Sequence, residues 1–455
     1  MRPIHWRIWF LSAMGIFLDG FDLFIIGVAM PLIALTFKAS PQVVGLIGAA
    51  ALIGAVFGAL IGGFLTDRFG RKLLYVFDLF VFVVLCVFSA FSWSPLALIV
   101  FRLFQGIGIG ADYPICATYV SAFMPKRIRG RMLIGAFSFQ ALGMFAAALV
   151  GLVVLKIYPS EQAWRFMLAF AAIPAVIIMF LRFTVPESAR WCLTKGRHTQ
   201  AAHIISKLVP HKHDEIHALA AEAHRFYADI KTEEHHLVSL FKPGYIRNTM
   251  LAAVPWFLMD IATYGIGIFT PIILGAMAFS GQGLDTIASD FKATEGAVFL
   301  DIFLALGFFL NILLIEKWGR IRLQLFGFGG MAIGLLVLAI SSIVSAGHVL
   351  NFILVFSGFT IFNVLMNMGP NATTFILPAE LYPTQMRATG HGFAAAAGKI
   401  GAAIGIFLLP ITKARFGLTF TLVMLAIFCV LAFMVTLLLR VETKGKSLEE
   451  LGMIV

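Results

Sequence analysis

Apolar runs of roughly 20 residues, each long enough to cross a bilayer as a helix, alternate along most of the chain with short polar connections. About twelve such runs are legible by hydropathy, in two groups of six, which predicts an all-α polytopic membrane protein. The first run, roughly Ile8 to Phe37, follows a short basic lead (Arg2, Arg7) with no small-residue cleavage site, so it is expected to be an uncleaved anchor. The second carries Gly45, Gly48, Gly54, Gly58 and Gly62 at a spacing that lets another helix approach closely. One long polar stretch, Pro186 to Tyr245, separates the groups. The expected units are therefore residues 1–185, a linker of short amphipathic helices at 186–245, a second six-helix half at 246–440, and a tail at 441–455 that is itself expected to form a short amphipathic helix.

Polar residues inside the apolar runs are the informative ones, because a carboxylate at bilayer depth costs roughly 2.5 to 3.5 kcal/mol even on forgiving scales and so faces a protein interior or a water-filled cavity. In LAAVPWFLMDIATYGIGIFTP, Leu251 to Pro271, the residues Trp256, Asp260 and Tyr264 fall at i, i+4 and i+8 on one helix face. Asp19 and Asp22 share the first span, Asp78 lies just inside the third, and Arg102 opens the fourth. That fourth span continues into GIGIGADYP, Gly106 to Pro114, whose glycines suggest a phosphate-cradling loop. No strand precedes it and no acid follows at the distance a dinucleotide fold needs, so close helix packing is the better reading. Asp112 and Tyr113 beside Pro114 are different, because a mid-span proline frees backbone groups that must be satisfied around a cavity.

The two groups of spans repeat one another. Asp67, Gly70 and Arg71 are matched by Glu316, Gly319 and Arg320, and the turn PKRIRGRM is matched by PTQMRATGHG around Arg387. Aligned on Arg129 and Arg387, Asp112 lies 17 residues before the first and Asn371 16 before the second, while Gln140 lies 11 after and Lys399 12 after. Unusual polar groups therefore recur in the same spans of each half, first and seventh, fourth and tenth, fifth and eleventh. Matching polar groups beside Pro-interrupted helices are the best sequence pointer to a midplane site between two rocking halves.

Composition sharpens the class. The chain of 455 residues is 60% hydrophobic and 13% charged, beyond the range of soluble domains. Its net charge of +11 does not indicate nucleic acid, because Arg68, Arg71, Lys72, Lys126, Arg127, Arg129, Arg131, Lys317, Arg320, Arg322, Arg440, Lys444 and Lys446 sit in connections on one side. The positive-inside rule makes that side cytoplasmic, with both termini inside. Cys86, Cys116, Cys192 and Cys429 show neither a disulfide framework nor metal spacing and read as small core residues. The histidines His198, His203, His211, His213, His217, His224, His235 and His236 of the polar stretch fit no tight ligand set and read as a solvated linker. No nucleophile and base pair lies in the spans, so an enzyme is not expected, and neither is a cofactor or a metal. Asp285, Asp290 and Glu295 are expected in an external loop, and Glu380 of PAELYP is expected to pair with Arg387.

The stretch GGFLTDRFGRK, Gly62 to Lys72, resembles the loop between the second and third helices of the major facilitator superfamily, G-x-x-x-D-R-x-G-R-K, through Gly63, Asp67, Arg68, Gly70, Arg71 and Lys72. The resemblance implies twelve transmembrane helices in two pseudo-symmetric six-helix halves. It also implies that this loop is a cytoplasmic gate latch, with Asp67, Arg68 and Arg71 in one half and Glu316, Arg320, Glu380 and Arg387 in the other. Within the superfamily, GIGIGADYP, FSFQALG, WFLMDIATYG, GPNATTF and AAAAGKIGA resemble stretches of the phosphate:proton symporters. That resemblance implies Tyr113, Gln140, Trp256, Asp260, Tyr264, Asn371 and Lys399 as substrate contacts. Asp19, Asp78 and Asp112 become the proton-path acids, supported by Asp22 and Arg102. Two positions depart from that family, Asp78 where Glu is usual and Ala122 where a Ser-Glu pair is usual.

PESARW, Pro186 to Trp191, and the tail resemble sugar porters instead, without the Gln-Gln pair that family carries in its seventh helix. The expected function is proton-coupled uptake of inorganic phosphate by alternating access in the cell membrane, by a monomer whose partners are the anion, protons and lipid. The alternatives are uptake of an organic, possibly aromatic, acid anion, then of a sugar, or a transporter-like receptor that senses phosphate without moving it. Lys399 would supply a point charge, Tyr113, Tyr264, Gln140, Asn371 and Trp256 neutral donors, and Asp260 an acceptor for a protonated phosphate oxygen.

Overall fold

A computed structural model describes residues 2–125, 127–208, 237–267, 286–344 and 349–446. Every regular element among them is helical. The first half contains α1 Pro3–Phe37, α2 Pro41–Phe69, α3 Arg71–Ala90, α4 Pro95–Phe123, α5 Arg129–Phe137, α6 Phe139–Ile157, α7 Ala163–Phe170 and α8 Ala172–Arg182. After α9 Ala189–Thr194, α10 His198–Leu208 and a 3₁₀ turn at Leu237–Phe241 come α11 Ile246–Gly267, α12 Thr286–Trp318, α13 Arg320–Ser341, α14 Val349–Met368, α15 Pro370–Leu381 and α16 Arg387–Leu439. Helices α5 and α6 form one span broken at Ser138, α7 and α8 another, and α14 and α15 a third broken at Gly369, while α16 holds two spans divided at Gly417. Eleven spans among the described residues have the length and hydropathy to cross a membrane, and the long helix α12 makes the twelfth.

Local sequence explains these boundaries. Proline opens α1, α2, α4 and α15, where its missing N–H costs nothing. Ser94 caps α4 by accepting from the Ala97 N–H at 3.2 Å. Single glycines, Gly70 at φ 106° and Gly319 at φ 90°, turn α2 into α3 and α12 into α13. These φ values suit a residue without Cβ, and the two glycines occupy the positions that the internal repeat equates. The glycines of α2 and α4 serve packing: a Cβ on Gly54 would fall 1.9 Å from the Leu103 carbonyl oxygen, and one on Gly106 2.0 Å from that of Ala51. GIGIGADYP is thus a close-packing helix segment, and α4 runs unbroken through Pro114. The halves meet along α2 against α16 and along α5 and α6 against α12.

Three expectations need adjustment. The first helix begins at Pro3 rather than near Ile8. Asp290 and Glu295 are in the first turns of α12 instead of a loop, because an apolar helix this long continues past its membrane-depth portion; Asp285 lies outside the described residues. Within the tail expected to be helical, Val441 to Lys446 are not, and Glu442 bonds the start of α13, while residues 447–455 lie outside the described residues. The linker does form short helices at α9 and α10, whereas His211, His213, His217, His224, His235 and His236 lie outside the described residues, as does Lys126. All four cysteines are buried and unbridged, as small core residues should be.

Candidate binding site between the halves

Four of the seven expected substrate contacts form one cluster around the Lys399 cation, which is one of the four. Lys399, on α16 and 2% exposed, places Nζ 3.3 Å from the Tyr113 hydroxyl of α4 and 3.4 Å from the Tyr264 hydroxyl of α11. Its ammonium also lies 4.3 Å from the centre of the Tyr113 ring and 5.4 Å from that of Tyr264, within cation–π range. Gln140, just after the Ser138 break, donates from Nε2 to the Tyr113 hydroxyl at 2.9 Å. Helices of both halves therefore contribute to one polar knot in an apolar surround. The i, i+4, i+8 face of α11 is seen directly: Trp256 and Asp260 are buried on the same stripe as Tyr264. Trp256 packs against Tyr113, Phe375 and His391.

Two carboxylates are poised around this cation. Asp260 and Asp19 are both within electrostatic reach of Lys399, both are buried, and each has one oxygen, Oδ2, without a hydrogen-bond partner. A buried acceptor left unpaired is costly, so each of these two oxygens can take a proton or a hydrogen-bond donor. Asn371 is placed differently: its Nδ2 donates to Asn367 Oδ1 at 2.7 Å across the α14–α15 break. It is thus oriented by Asn367, a buried residue the sequence reading did not single out. Beneath the knot, Phe137 of α5 stacks on Phe375 of α15 at a centroid distance of 4.4 Å, joining the halves with an aromatic floor.

The remaining acids of the first half fall into two groups. Asp22 is closed by Arg102, whose Nη1 donates to both carboxylate oxygens at 2.8 Å, and by Gln105 Nε2 at 2.8 Å. Asp78 and Asp112 share one cation that sequence reasoning passed over, Arg182 at the end of α8. Its Nη1 is 3.1 Å from Asp78 Oδ1 and 3.0 Å from Asp112 Oδ1. Arg182 is fully buried, donates to the Tyr75 carbonyl at 2.7 Å and stacks over the Tyr75 ring at 3.7 Å.

At the end of the bundle that carries the basic turns, the expected gate residues form ordered contacts. Asp67 of α2 reaches into the other half and accepts from the Thr389 N–H at 2.8 Å, the Thr389 hydroxyl at 2.9 Å and the Ala388 N–H at 3.4 Å, capping the start of α16. Arg71 is buried and donates to the Thr118 carbonyl at 2.9 Å. Arg68 is exposed and lies over Phe69. Glu380 does not take the partner expected for it. It is held by Arg129 at 3.0 Å, by Arg320 at 3.1 Å and by the Thr443 hydroxyl at 2.5 Å, whereas Arg387 Nε donates to the Tyr382 carbonyl. Arg320 also pairs with Glu316 at 3.0 Å. The helix α15 turns Glu380 toward the other half, where Arg129 can reach it, and Arg387 follows a bend that points it back. Two further carboxylates act as straps: Glu187 accepts from the Arg71 and Lys72 N–H groups at 3.1 and 3.0 Å, and Glu442 from those of Arg320 and Ile321 at 3.0 and 3.1 Å.

Comparison with known proteins supports the same architecture. The family model described as "Sugar (and other) transporter" matches residues 8–454. Relatives include "Low affinity inorganic phosphate transporter 4" of Medicago truncatula, 30% identical over 97% of this chain and 90% of its own length. "Inner membrane metabolite transport protein YgcS" of Escherichia coli is 31% identical over 99% and 95%. Among solved structures, the proton:xylose symporter XylE of the major facilitator superfamily, bound to 6-bromo-6-deoxy-D-glucose, superposes with a TM-score of 0.86 at 22% identity, covering 99% of this chain and 98% of that one. A chain matched by that family model over nearly its whole length, with the fold of that major facilitator structure, belongs to the sugar (and other) transporter family.

Proposed function

We propose that the protein is a proton-coupled symporter of inorganic phosphate that works by alternating access. The observation that carries this reading is the Lys399 ammonium, buried between the hydroxyls of Tyr113 and Tyr264 from opposite halves, with the unpartnered Asp260 Oδ2 on the adjoining face. A cation with neutral donors binds an anion in a dry site. An added acceptor favours an anion that still carries hydrogens, as monobasic phosphate does and a carboxylate does not. The names of several relatives at about 30% identity, inorganic phosphate transporters of plants, point the same way.

In this reading the basic end is cytoplasmic, both termini and residues 186–245 face the cytosol, and the units 1–185 and 246–440 rock about the site in the cell membrane as a monomer. The contacts of Asp67 with Thr389 and of Arg129 with Glu380 keep the cytoplasmic side shut. Asp260, Tyr264, Trp256, Lys399, Tyr113, Gln140 and Asn371 take the anion, and Asp19, Asp78 and Asp112 move protons, with Asp22 and Arg102 as a fixed pair. Neutralising an acid lowers the charge of the cavity and eases entry of the anion, which couples the two.

The test is uptake of labelled phosphate into proteoliposomes under an imposed pH gradient, with organic acids and xylose as competitors. Gradient-driven accumulation that excess organic acid does not inhibit is expected. Competition by an aromatic acid at least as strong as by unlabelled phosphate would move the assignment to organic anions. Binding without counterflow would make the protein a sensor.

A further inference from the structure

We propose that Arg182 is the positioning residue that sets how many protons the Asp78 and Asp112 pair carries; this rests on the proton-coupled reading above and deepens it. One guanidinium is shared by two carboxylates, with Nη1 at 3.1 Å from Asp78 Oδ1 and 3.0 Å from Asp112 Oδ1, and all three side chains are buried. With both acids ionised the group holds one uncompensated negative charge in a low-dielectric interior, which is expensive. One added proton makes it neutral. The pair therefore binds a single proton that either acid can hold, since Arg182 stabilises whichever carboxylate remains charged.

The surroundings fit a dedicated cation site. From α3, Tyr75 offers its carbonyl and its ring face to Arg182; from α4 come Asp112 and the Cys116 thiol, 3.8 Å from Nη2. The Tyr119 hydroxyl of α4 and, from α1, the Asp19 carboxylate are within electrostatic reach. Helix α1 makes room with Gly15, where a Cβ would fall 2.0 Å from Arg182 Nη2 and 2.2 Å from Asp112 Oδ2. A larger residue at position 15 would force the Arg182 or Asp112 side-chain end to shift.

The step is a proton transfer. A hydronium on one side of the membrane gives its proton to a carboxylate oxygen of the pair, leaving water behind, and after the halves rock the O–H bond breaks toward water on the other side. Removing the cation leaves two buried carboxyl groups with no charge facing them in common. Arg182→Gln should therefore lose pH-driven accumulation by at least about tenfold, while phosphate counterflow survives with a changed dependence on pH. Asp78→Asn, which leaves Arg182 and Asp112 as a neutral pair with no proton, should make counterflow less dependent on pH. Arg182→Lys should restore much of the accumulation.

Calorimetric binding of phosphate by purified Arg182→Gln reports whether that variant is folded, and if it is not, Arg182→Lys and Asp78→Asn carry the test. Wild-type accumulation under a pH gradient by Arg182→Gln would overturn the proposal. So would a folded Arg182→Gln that loses counterflow and accumulation equally, or an Asp78→Asn whose counterflow keeps the wild-type pH profile. If the native protein itself shows no gradient-driven accumulation, the symport reading fails instead, which separates the two.

Discussion

At the scale of single residues, Lys399 and the acids around it make the sharpest claims. Lys399→Ala removes the ammonium that lies between the Tyr113 and Tyr264 hydroxyls and would compensate a bound anion. Loss of a buried, hydrogen-bonded charge typically costs about 2 to 5 kcal/mol, so phosphate affinity should fall by roughly thirtyfold or more in calorimetry. Unchanged binding would point to a neutral substrate. Lys399→Arg should fail as well, because the planar fork cannot sit as a point between two phenols. A second prediction separates two kinds of acid. Asp19→Asn and Asp112→Asn should stop accumulation driven by a pH gradient yet permit counterflow, which needs binding and alternation but no net proton movement. Asp260→Asn should damage both by altering the substrate contact. Full gradient-driven accumulation by Asp19→Asn would remove that acid from the proton route and leave Asp78 and Asp112 to carry it.

Much of this site was legible because intramembrane polar residues are rare and the halves repeat. Tyr113, Gln140, Tyr264 and Lys399 stand out against apolar neighbours and fall at matching depths. Arg182 was not legible for a physical reason: an arginine at the end of an apolar run reads as a topological charge, and only the fold turns it inward onto Asp78 and Asp112. Glu380 shows the opposite error. Arg387 is near in sequence, but the partners that hold it, Arg129 and Arg320, lie 251 and 60 residues away, and sequence proximity carries no information about such pairs.

Among the elements, the contact of α2 with α16 is the one that the proposed cycle would have to open. Gly63 and Gly392 face each other there, and a Cβ would fall 2.4 Å from the Ala388 carbonyl oxygen in the first case and 2.2 Å from that of Ala59 in the second. Gly392→Ala therefore wedges the halves apart at the basic end, close to the point where Asp67 caps α16. Overpacking costs about 1 to 3 kcal/mol, enough to shift a two-state population by about tenfold. A cysteine introduced at Thr389 should then be alkylated faster in the Gly392→Ala background. An equal or slower rate would show that this contact does not hold the basic end closed. The pairing of these helices was only half visible beforehand, because glycine spacing announces close approach without naming the partner. The glycines of α2 turned out to serve both α4, inside the same half, and α16, across the interface.

For the whole molecule, orientation is the testable claim. If the basic connections face the cytosol, a cysteine replacing Asp290 at the start of α12 should react with an impermeant reagent from outside, and labelling only after the membrane is broken would reverse the assignment.

The two carboxylate straps also bear on how the chain is built. Glu187 follows directly on the sixth span and ties back to the first turn of α3, so the first half makes this strap from within its own length. Glu442 does the same service for α13, with Thr443 completing the shell of Glu380, and both are reached only after the whole second half has been made. At translation rates of about 5 to 20 residues per second, roughly 10 to 50 s separate the two events. For most of that interval Arg129 of the first half lacks Glu380, the carboxylate that holds it in the folded chain.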